Sequence, residues 1–458
     1  MTIPTMPIRF LLLALGLSLA LPAAAGVRHD LANPALAATV NGEPLSSAFV
    51  DLMHGIALRG DPGLTRAAVV QALIDDRLIA AHARATDPHE HLIEDNKVAF
   101  SPAMQIEQAM VANLQAGFRD RLEARLKREK GGALEGVILA EMAPTPAQWN
   151  SVFSKDPGLL LEYSLDEKAR LAAGKIVLMR YRFGKEAPGQ VTLLEVYDAQ
   201  NIQGRNQLHG RSAAFAAEQA RLLLKNRYIL HWAQSAEGMG ADDFTLLRRA
   251  IEDRLVHGGW MAHLGVAADI HDDPQHLKEL QASVTQDEIR AYYETHRDDF
   301  RRIEKVKARR IRVADEARAR EVEAALKQGG NFEALAKQFS IAPDAATGGD
   351  LGWIKHGEKA HGWLDSMAFL QQPGQPSRPA RLPGAEGEEP GWEILLVEER
   401  VMGWQPVDSE SVRYLASQAI AKQKAMDEYR GTLERVRREA DIRLQPELAP
   451  LARPQGKK

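Results

Sequence analysis

The chain has 458 residues, of which 45% are hydrophobic and 26% charged, enough for two or three domains that each bury a core. Lys and Arg number 58 and Asp and Glu number 62, and this formal charge of −4 argues against nucleic acid as a partner, because phosphate binding needs a basic surface. The absence of cysteine excludes thiolate nucleophiles, disulfides and cysteine zinc sites.

Residues 1–25 have the three-part pattern of a secretory signal peptide. Arg9 is the only charged residue before the apolar run Phe10–Leu21, and small residues at Ala23 and Ala25 favour cleavage after Ala25. An uncleaved anchor is the alternative, but the run is shorter than the roughly 20 residues that span a bilayer. We therefore predict an exported, periplasmic protein with no stable membrane insertion after signal cleavage.

Residues 26–300 are predicted to form a mainly helical domain. Asn41-Gly42 is typical of a tight turn, and Thr285 followed by Glu288 is a capping box that opens a helix through Tyr293. Residues from about 100 to 210 differ, because alternation around 177–181 indicates a small insertion with strands. Helical spacing of apolar residues predicts three longer helices, at Thr65–Arg84, Ser212–Gln234 and Asp242–Leu264.

From residue 301 to 402 the pattern changes to β-α-α-β-α-β-β, so the predicted fold class is α+β. The strands and helices are expected at Val306–Val313, Glu316–Lys327, Asn331–Phe339, Trp363–Leu370 and Trp392–Val397. Residues 403–445 contain an amphipathic helix, Asp408–Asp441, with Val412, Leu415 and Ile420 among the residues expected to face inward. The Pro-rich tail 446–458 is predicted to be disordered.

Four strings in this region resemble the parvulin family of peptidyl-prolyl isomerases. They are the strand Val306–Val313, the turn and helix Gly329-Gly330-Asn331-Phe332-Glu333-Ala334-Leu335-Ala336, the string Gly348-Gly349-Asp350-Leu351-Gly352-Trp353, and the strand Gly391-Trp392-Glu393-Ile394-Leu395-Leu396-Val397. They follow one another in the family's order across about ninety residues. The resemblance implies a parvulin fold for residues 301–402, with no metal and no cofactor.

The flanking segments resemble SurA-type periplasmic chaperones, beginning with Thr39-Val40-Asn41-Gly42-Glu43-Pro44-Leu45. This resemblance implies that the C-terminal helix in 403–445 packs on the N-terminal domain, and that the partners are unfolded or nascent exported polypeptides with X-Pro bonds. Residues from about 100 to 210 match nothing in that family.

The family's polar network of two histidines and an Asp or Cys is missing from this sequence. The first-strand histidine falls on Arg310, the last-strand histidine on Glu393, and the Asp or Cys on Ala342. Leu351 and Trp363 remain at the family's apolar proline pocket, whereas Lys359 occupies a position that is usually Met or Leu. Trp353 and Phe369 are expected to be core residues.

Two interpretations of these replacements stay open. In the first, the apolar pocket still favours a twisted prolyl amide, and the lost network lowers the rate without abolishing turnover. In the second, Arg310 and Glu393 form an ion pair across neighbouring strands that preserves only the fold. We therefore predict an exported isomerase and chaperone with reduced isomerase activity, and a non-enzymatic chaperone or assembly factor is the alternative.

Other candidate sites are weaker. His89-Glu90-His91, with Glu94 and Asp95 nearby, has metal-binding side chains but no third ligand at a diagnostic spacing, and His271-Asp272-Asp273 is weaker still. We therefore predict no metal site. Ser340 and His356 lack the signature of a catalytic triad.

Overall fold

A computed structural model describes residues 27–86, 92–93, 99–153, 163–267, 274–357, 362–382 and 391–448. The chain divides into two compact units. We call the first the discontinuous unit, because it comprises residues up to Leu277 and again from Ala425, and the second the continuous unit, Lys278–Lys424. The predicted signal peptide, Lys359 and both candidate histidine clusters lie outside the described residues.

The described residues form eleven strands and fifteen α-helices. The strands are β1 (Val27–Arg28), β2 (Leu36–Val40), β3 (Glu43–Ser46), β4 (Ile138–Glu141), β5 (Val177–Tyr181), β6 (Gly189–Thr192), β7 (Arg301–Val313), β8 (Asp350–Lys355), β9 (Ala380–Arg381), β10 (Trp392–Trp404) and β11 (Ile442–Leu444). The helices are α1 (Ser47–Ala57), α2 (Arg66–Thr86), α3 (Pro102–Leu126), α4 (Pro146–Val152), α5 (Glu167–Lys175), α6 (Leu193–Asp198), α7 (Ile202–His209), α8 (Ala213–Gln234), α9 (Ala241–His263), α10 (Gln275–Ala282), α11 (Gln286–Thr295), α12 (Glu316–Lys327), α13 (Phe332–Phe339), α14 (Trp363–Leu370) and α15 (Glu410–Glu439). This mixture of helices and small sheets confirms the predicted α+β class.

The main core of the discontinuous unit joins both ends of the chain. Helices α1, α2, α3 and α9 pack with the second half of α15 around buried residues such as Phe49, Ile79 and Leu114. Beside them lies a four-stranded sheet in the order β1-β11-β2-β3, in which Ile442 pairs with Val27 on one side and with Val40 on the other. The last strand is therefore an inner strand of the sheet.

The hairpin between β2 and β3 has the turn predicted from Asn41-Gly42. Asn41 has φ 51° and Gly42 has φ 83°, the left-handed backbone that two-residue hairpin turns require. The turn was predictable because the two residues that form it, Asn41 and Gly42, are themselves the signal, and the prediction is confirmed.

A second core of the discontinuous unit lies between Val137 and Tyr228. Strands β4, β5 and β6 form a three-stranded antiparallel sheet, covered by α4 to α7 and the first part of α8. Tyr197 and Leu208 are among its most buried side chains. The strands of the insertion predicted at about 100–210 therefore form a sheet with its own core, which extends to Tyr228 on α8. Helix α3, in the first part of the same stretch, belongs to the main core instead.

The continuous unit contains a four-stranded antiparallel sheet in the order β8-β7-β10-β9. Helices α12 and α13 cover one face around Ile311, Val322 and Ile394, and α14 covers the other face around Ala308 and Leu364. Alternate residues of β7 and β10 thus reach two separate cores, as the period of a strand requires.

The unit boundaries differ from the predicted ones at 300/301 and 402/403. Helix α11 and the first half of α15 form a third core of the continuous unit, in which Ile289, Tyr293 and Phe300 pack against Val412 and Ala416. Because these contacts join segments more than a hundred residues apart, the local pattern did not indicate them.

Two predictions near the C-terminus are wrong. Leu415 is 46% exposed, because the first half of α15 buries only the stripe that contains Val412 and Ala416. Residues Pro446–Leu448, assigned to a disordered tail, form a 3-10 turn in which Leu448 is buried in the main core. The rest of that tail lies outside the described residues.

Candidate active site

The candidate site lies where β7 and β10 pair. In the register of the two strands, Arg310 is opposite Leu395 and Arg312 is opposite Glu393. Arg310 and Glu393 are therefore diagonal neighbours on adjacent strands, within reach of each other's long side chains.

A close approach of the backbone completes the site. Gly349, in the loop that leads into β8, has φ 72°, and a Cβ atom built there would lie 1.9 Å from the carbonyl oxygen of Arg310. The amide of Arg310 donates to the carbonyl oxygen of Gly349 over 2.8 Å. Only glycine fits this position, which explains why the string begins with a glycine pair.

Two arginines and two carboxylates share the site. Arg312 Nε lies 2.5 Å from Glu393 Oε1, whereas Arg310 Nη1 lies 3.5 Å from the same oxygen. Arg310 instead pairs with Asp344, whose Oδ2 lies 2.8 Å from Nε and 2.7 Å from Nη2. The Arg310–Glu393 ion pair considered from the sequence is therefore present, but it is the longest of three, and the Arg310–Asp344 and Arg312–Glu393 pairs are closer.

Burial shifts the pKa of the Glu393 carboxyl. The residue is 1% exposed, and among the described residues its Oε2 has no hydrogen-bond partner. Removal from water raises the pKa of Glu393, and this effect outweighs the opposing influence of Arg312 and Arg310. Asp344 Oδ1 is likewise buried without a partner among the described residues.

Ala342 and Ser340 shape the loop that carries Asp344. Ala342 is 5% exposed and brings no polar side chain to the site. Ser340 Oγ accepts from the amides of Arg312, at 3.1 Å, and Ala342, at 3.3 Å. Ser340 therefore fixes the loop to β7. This is a structural role, whereas the sequence had raised Ser340 as a candidate nucleophile.

Sequence reasoning missed Asp344. The comparison with the family placed the carboxylate at position 342, whereas the 3-10 turn Ala345–Thr347 returns the chain so that Asp344 reaches Arg310. The sequence did contain a signal for this carboxylate, because Asp344 is the only acidic residue between Ser340 and Gly349.

The apolar part of the site lies on the α14 side of the sheet. Leu351 and Trp363, both predicted as pocket residues, are partly buried and pack against the same core, which includes Leu364 and Leu395. The indole Nε1 of Trp363 is buried and has no hydrogen-bond partner among the described residues.

Trp353, expected in the core, is 38% exposed, and Lys305 Nζ lies 4.4 Å from its ring centroid. Phe369 packs against the same core as Trp363, as expected, and its ring meets that of His356 edge-on at 5.7 Å. The part of the chain that the structure describes holds no cluster of three side chains able to bind a metal ion.

Comparison with known proteins identifies the class of this domain. The family model Rotamase, described as PPIC-type PPIASE domain, matches residues 300–399. Residues 300–399 therefore form a rotamase domain of the parvulin type, and the predicted resemblance is confirmed for this region.

Two relatives match the chain over part of its length. Chaperone SurA of Nitrosospira multiformis is 37% identical over 125 residues, 27% of this chain and 26% of the relative. Foldase protein PrsA of Bacillus subtilis is 30% identical over 159 residues, 35% of this chain and 49% of the relative. The chain thus matches between a quarter and a half of the length of these two relatives.

Two solved structures are also similar. PrsA from Bacillus anthracis has a TM-score of 0.21 and 20% identity, covering 52% of this chain and 87% of that one. A chain from the study of the SurA-like chaperones PEB4 and Cj1289 of Campylobacter jejuni has a TM-score of 0.22 and 13% identity, covering 89% of this chain and 98% of that one. The assignment of the domain rests on the family model and the sequence relatives.

Proposed function

We propose that this protein is an exported peptidyl-prolyl isomerase and chaperone of the SurA-like class. Its clients are unfolded secreted or outer-membrane polypeptides with X-Pro bonds, and its isomerase activity is reduced. The observation that carries the proposal is the rotamase domain at 300–399, in which Leu351 and Trp363 pack in the core that includes Leu395, the residue opposite Arg310.

The chemistry needs only a shaped, partly dry site. Rotation about the X-Pro bond is slow because amide resonance gives the bond partial double-bond character, with a barrier of about 18–20 kcal/mol. Leu351 and Trp363 hold the proline ring away from water. As the amide twists, its nitrogen regains a lone pair, and an N–H donor such as Arg310 Nη1 stabilises that twisted state more than the planar one.

The replaced histidines account for the reduced rate. A guanidinium keeps its proton and cannot exchange tautomers as an imidazole does, so Arg310 donates but never accepts. Glu393 is buried and already engaged with Arg312, which leaves Arg310 Nη1 as the loosely held donor of the network.

A non-enzymatic chaperone or assembly factor is the second candidate. The close pairs Arg310–Asp344 and Arg312–Glu393 favour this candidate. These pairs occupy charged groups that a catalytic network would leave available for the substrate. In this case the rotamase domain serves as a peptide-binding module.

Export is supported by the signal-peptide pattern in residues 1–25. Among the described residues, none of the helices combines the length and the apolar character needed to cross a bilayer. Fractionation of cells that express the chain with and without residues 1–25 tests this part of the proposal, and equal amounts outside the cytoplasm in both cases contradict it.

Two measurements on the chain without residues 1–25 separate the candidates. Catalysed cis/trans exchange of short X-Pro peptides is followed by exchange NMR, and aggregation of an unfolded client by light scattering. Catalysed exchange together with suppression supports the isomerase and chaperone, whereas exchange at the uncatalysed rate with full suppression supports the second candidate. Trp363→Ala should abolish catalysed exchange of the X-Pro peptides but leave the suppression of client aggregation by the helical regions. Glu321→Gln, a change on the exposed side of α12, should leave both activities unchanged.

A further inference from the structure

The loop before the glycine pair supplies a carboxylate to the site. Where the family carries Asp or Cys this chain has Ala342, and Asp344 follows two residues later. Its Oδ2 accepts from Nε of Arg310 and lies 2.7 Å from Nη2, so that one oxygen holds two of the three guanidinium nitrogens. This side-on geometry fixes the plane of the guanidinium as well as its distance.

The backbone around this pair is held from both sides. The amide of Gly349 donates to the carbonyl oxygen of Asp344 over 2.9 Å, and the amide of Arg310 donates to the carbonyl oxygen of Gly349 over 2.8 Å. The side chains of Arg310 and Asp344 are only 11% and 16% exposed. The pair is therefore braced by the backbone of the motif and screened from most of the solvent.

Glu393 does not compete for the same role. Its Oε1 lies 2.5 Å from Arg312 Nε but 3.5 Å from Arg310 Nη1, which is the outer limit of a hydrogen bond. Of the three guanidinium nitrogens of Arg310, Nη1 is thus the one least engaged by the protein.

We propose that Asp344 is a positioning residue that fixes the guanidinium of Arg310, so that Nη1 donates to the nitrogen of the twisted prolyl amide. The inference rests on the proposed isomerase function and extends it to a residue outside the family's network. Asp344 does not touch the substrate, and its effect passes through Arg310.

A double-mutant cycle in the chain without residues 1–25 tests the inference. Asp344→Asn keeps the shape of the side chain and removes its charge, and we expect kcat for X-Pro exchange to fall about ten- to a hundredfold, with KM within about twofold. Arg310→Lys, which has no Nη1, should cause the same fall in kcat. The double variant should be no worse than either single one, because both changes remove the same interaction.

The outcomes are distinct. Losses that multiply in the double variant, or a kcat of Asp344→Asn within twofold of the unchanged protein, overturn the inference. Glu321→Gln on α12 is the matched control for loss of one carboxylate, and its kcat should not change. If Asp344→Asn loses its folded circular dichroism, the decision passes to Arg310→Lys, for which an unchanged kcat overturns the inference.

Failure of the proposed function has a different signature. If the unchanged protein shows no catalysed exchange, the isomerase proposal fails, and the NMR resonance of Arg310 Nε–H still decides the positioning role. A slowly exchanging Nε–H that is lost in Asp344→Asn upholds the positioning of Arg310. The same resonance in both proteins overturns it.

Discussion

Arg437 Nε donates to Asp75 Oδ1 over 2.7 Å, although the two residues are 362 positions apart in the chain. Both side chains are nearly buried, with 11% and 15% exposure. The contact joins the second half of α15 to α2 within the discontinuous unit. Beside it, His257 bridges Asp76, at 2.7 Å, and the hydroxyl of Tyr429, at 3.0 Å.

Arg437→Ala should destabilise the discontinuous unit by about 3–5 kcal/mol, because it leaves the Asp75 carboxylate buried without its cation. Burial already raises the pKa of Asp75 against the influence of Arg437, so loss of the arginine removes the main opposing group. Hydrogen exchange of peptides from 425–439 measures the effect as lost protection. Arg430→Ala, at an exposed pair with Asp427, is the control, and equal loss in both variants contradicts the prediction.

Glu393 should make the stability of the continuous unit depend on pH. The pKa of this carboxyl is raised by burial above its ordinary 4.5, so over the interval above 4.5 the folded state holds a proton that the unfolded state has released. The contribution of Glu393 to the free energy of unfolding is therefore fully present below pH 4.5 and is lost as the pH rises through the raised pKa.

Urea denaturation at a series of pH values from about 4 to about 8, followed by tryptophan fluorescence, tests this dependence. Glu393→Gln should abolish the fall, since an amide does not titrate, whereas Glu321→Gln should retain it. A fall of the same size in Glu393→Gln assigns the dependence to another group.

Gly349 and Gly352 allow a matched test of the close approach at the site. Both have positive φ, but a Cβ atom at Gly349 would meet the backbone of Arg310, whereas at Gly352 nothing lies within 4 Å. Gly352→Ala should cost about 1–2 kcal/mol of strain alone. Gly349→Ala should cost clearly more, because the strands must also move apart, and equal midpoints in thermal denaturation of the two variants refute this reasoning.

Restoring the family's network should raise isomerase activity. The triple variant Arg310→His, Glu393→His and Ala342→Asp is expected to increase catalysed exchange by at least about tenfold, a change of roughly 1.4 kcal/mol in the barrier. Exchange NMR on the same X-Pro peptides measures it. A folded triple variant without any gain shows that the missing network is not what limits the rate.

The sequence predicted the parts of the fold that local patterns encode. Alternation placed a strand at Val306–Val313, and the capping box of Thr285 and Glu288 is present with both of its hydrogen bonds. The same alternation missed Arg301–Lys305, because this mainly charged segment becomes strand only through pairing with the end of β10. Nonlocal pairing of this kind leaves no periodic signal in one segment.

The candidate site shows the same limit. The motif positions predicted that Arg310 and Glu393 lie close together. They did not predict the partners of these residues, which depend on side chains that extend across the sheet and on the turn in the loop before Gly349. Arg312 was assigned only to a strand and Asp344 only to a loop, yet each holds one of the two replaced positions.

The position of β11 between β1 and β2 has a consequence for the order of folding. The continuous unit, Lys278–Lys424, is one stretch of chain, so it contains all of its own residues before the last strand is available. The sheet of the discontinuous unit cannot close until Ile442–Leu444 has been synthesised, some 400 residues after its first strand. Until β11 pairs with them, the facing edges of β1 and β2 have no partner in this sheet, so the N-terminal strands depend on the C-terminal one to complete it.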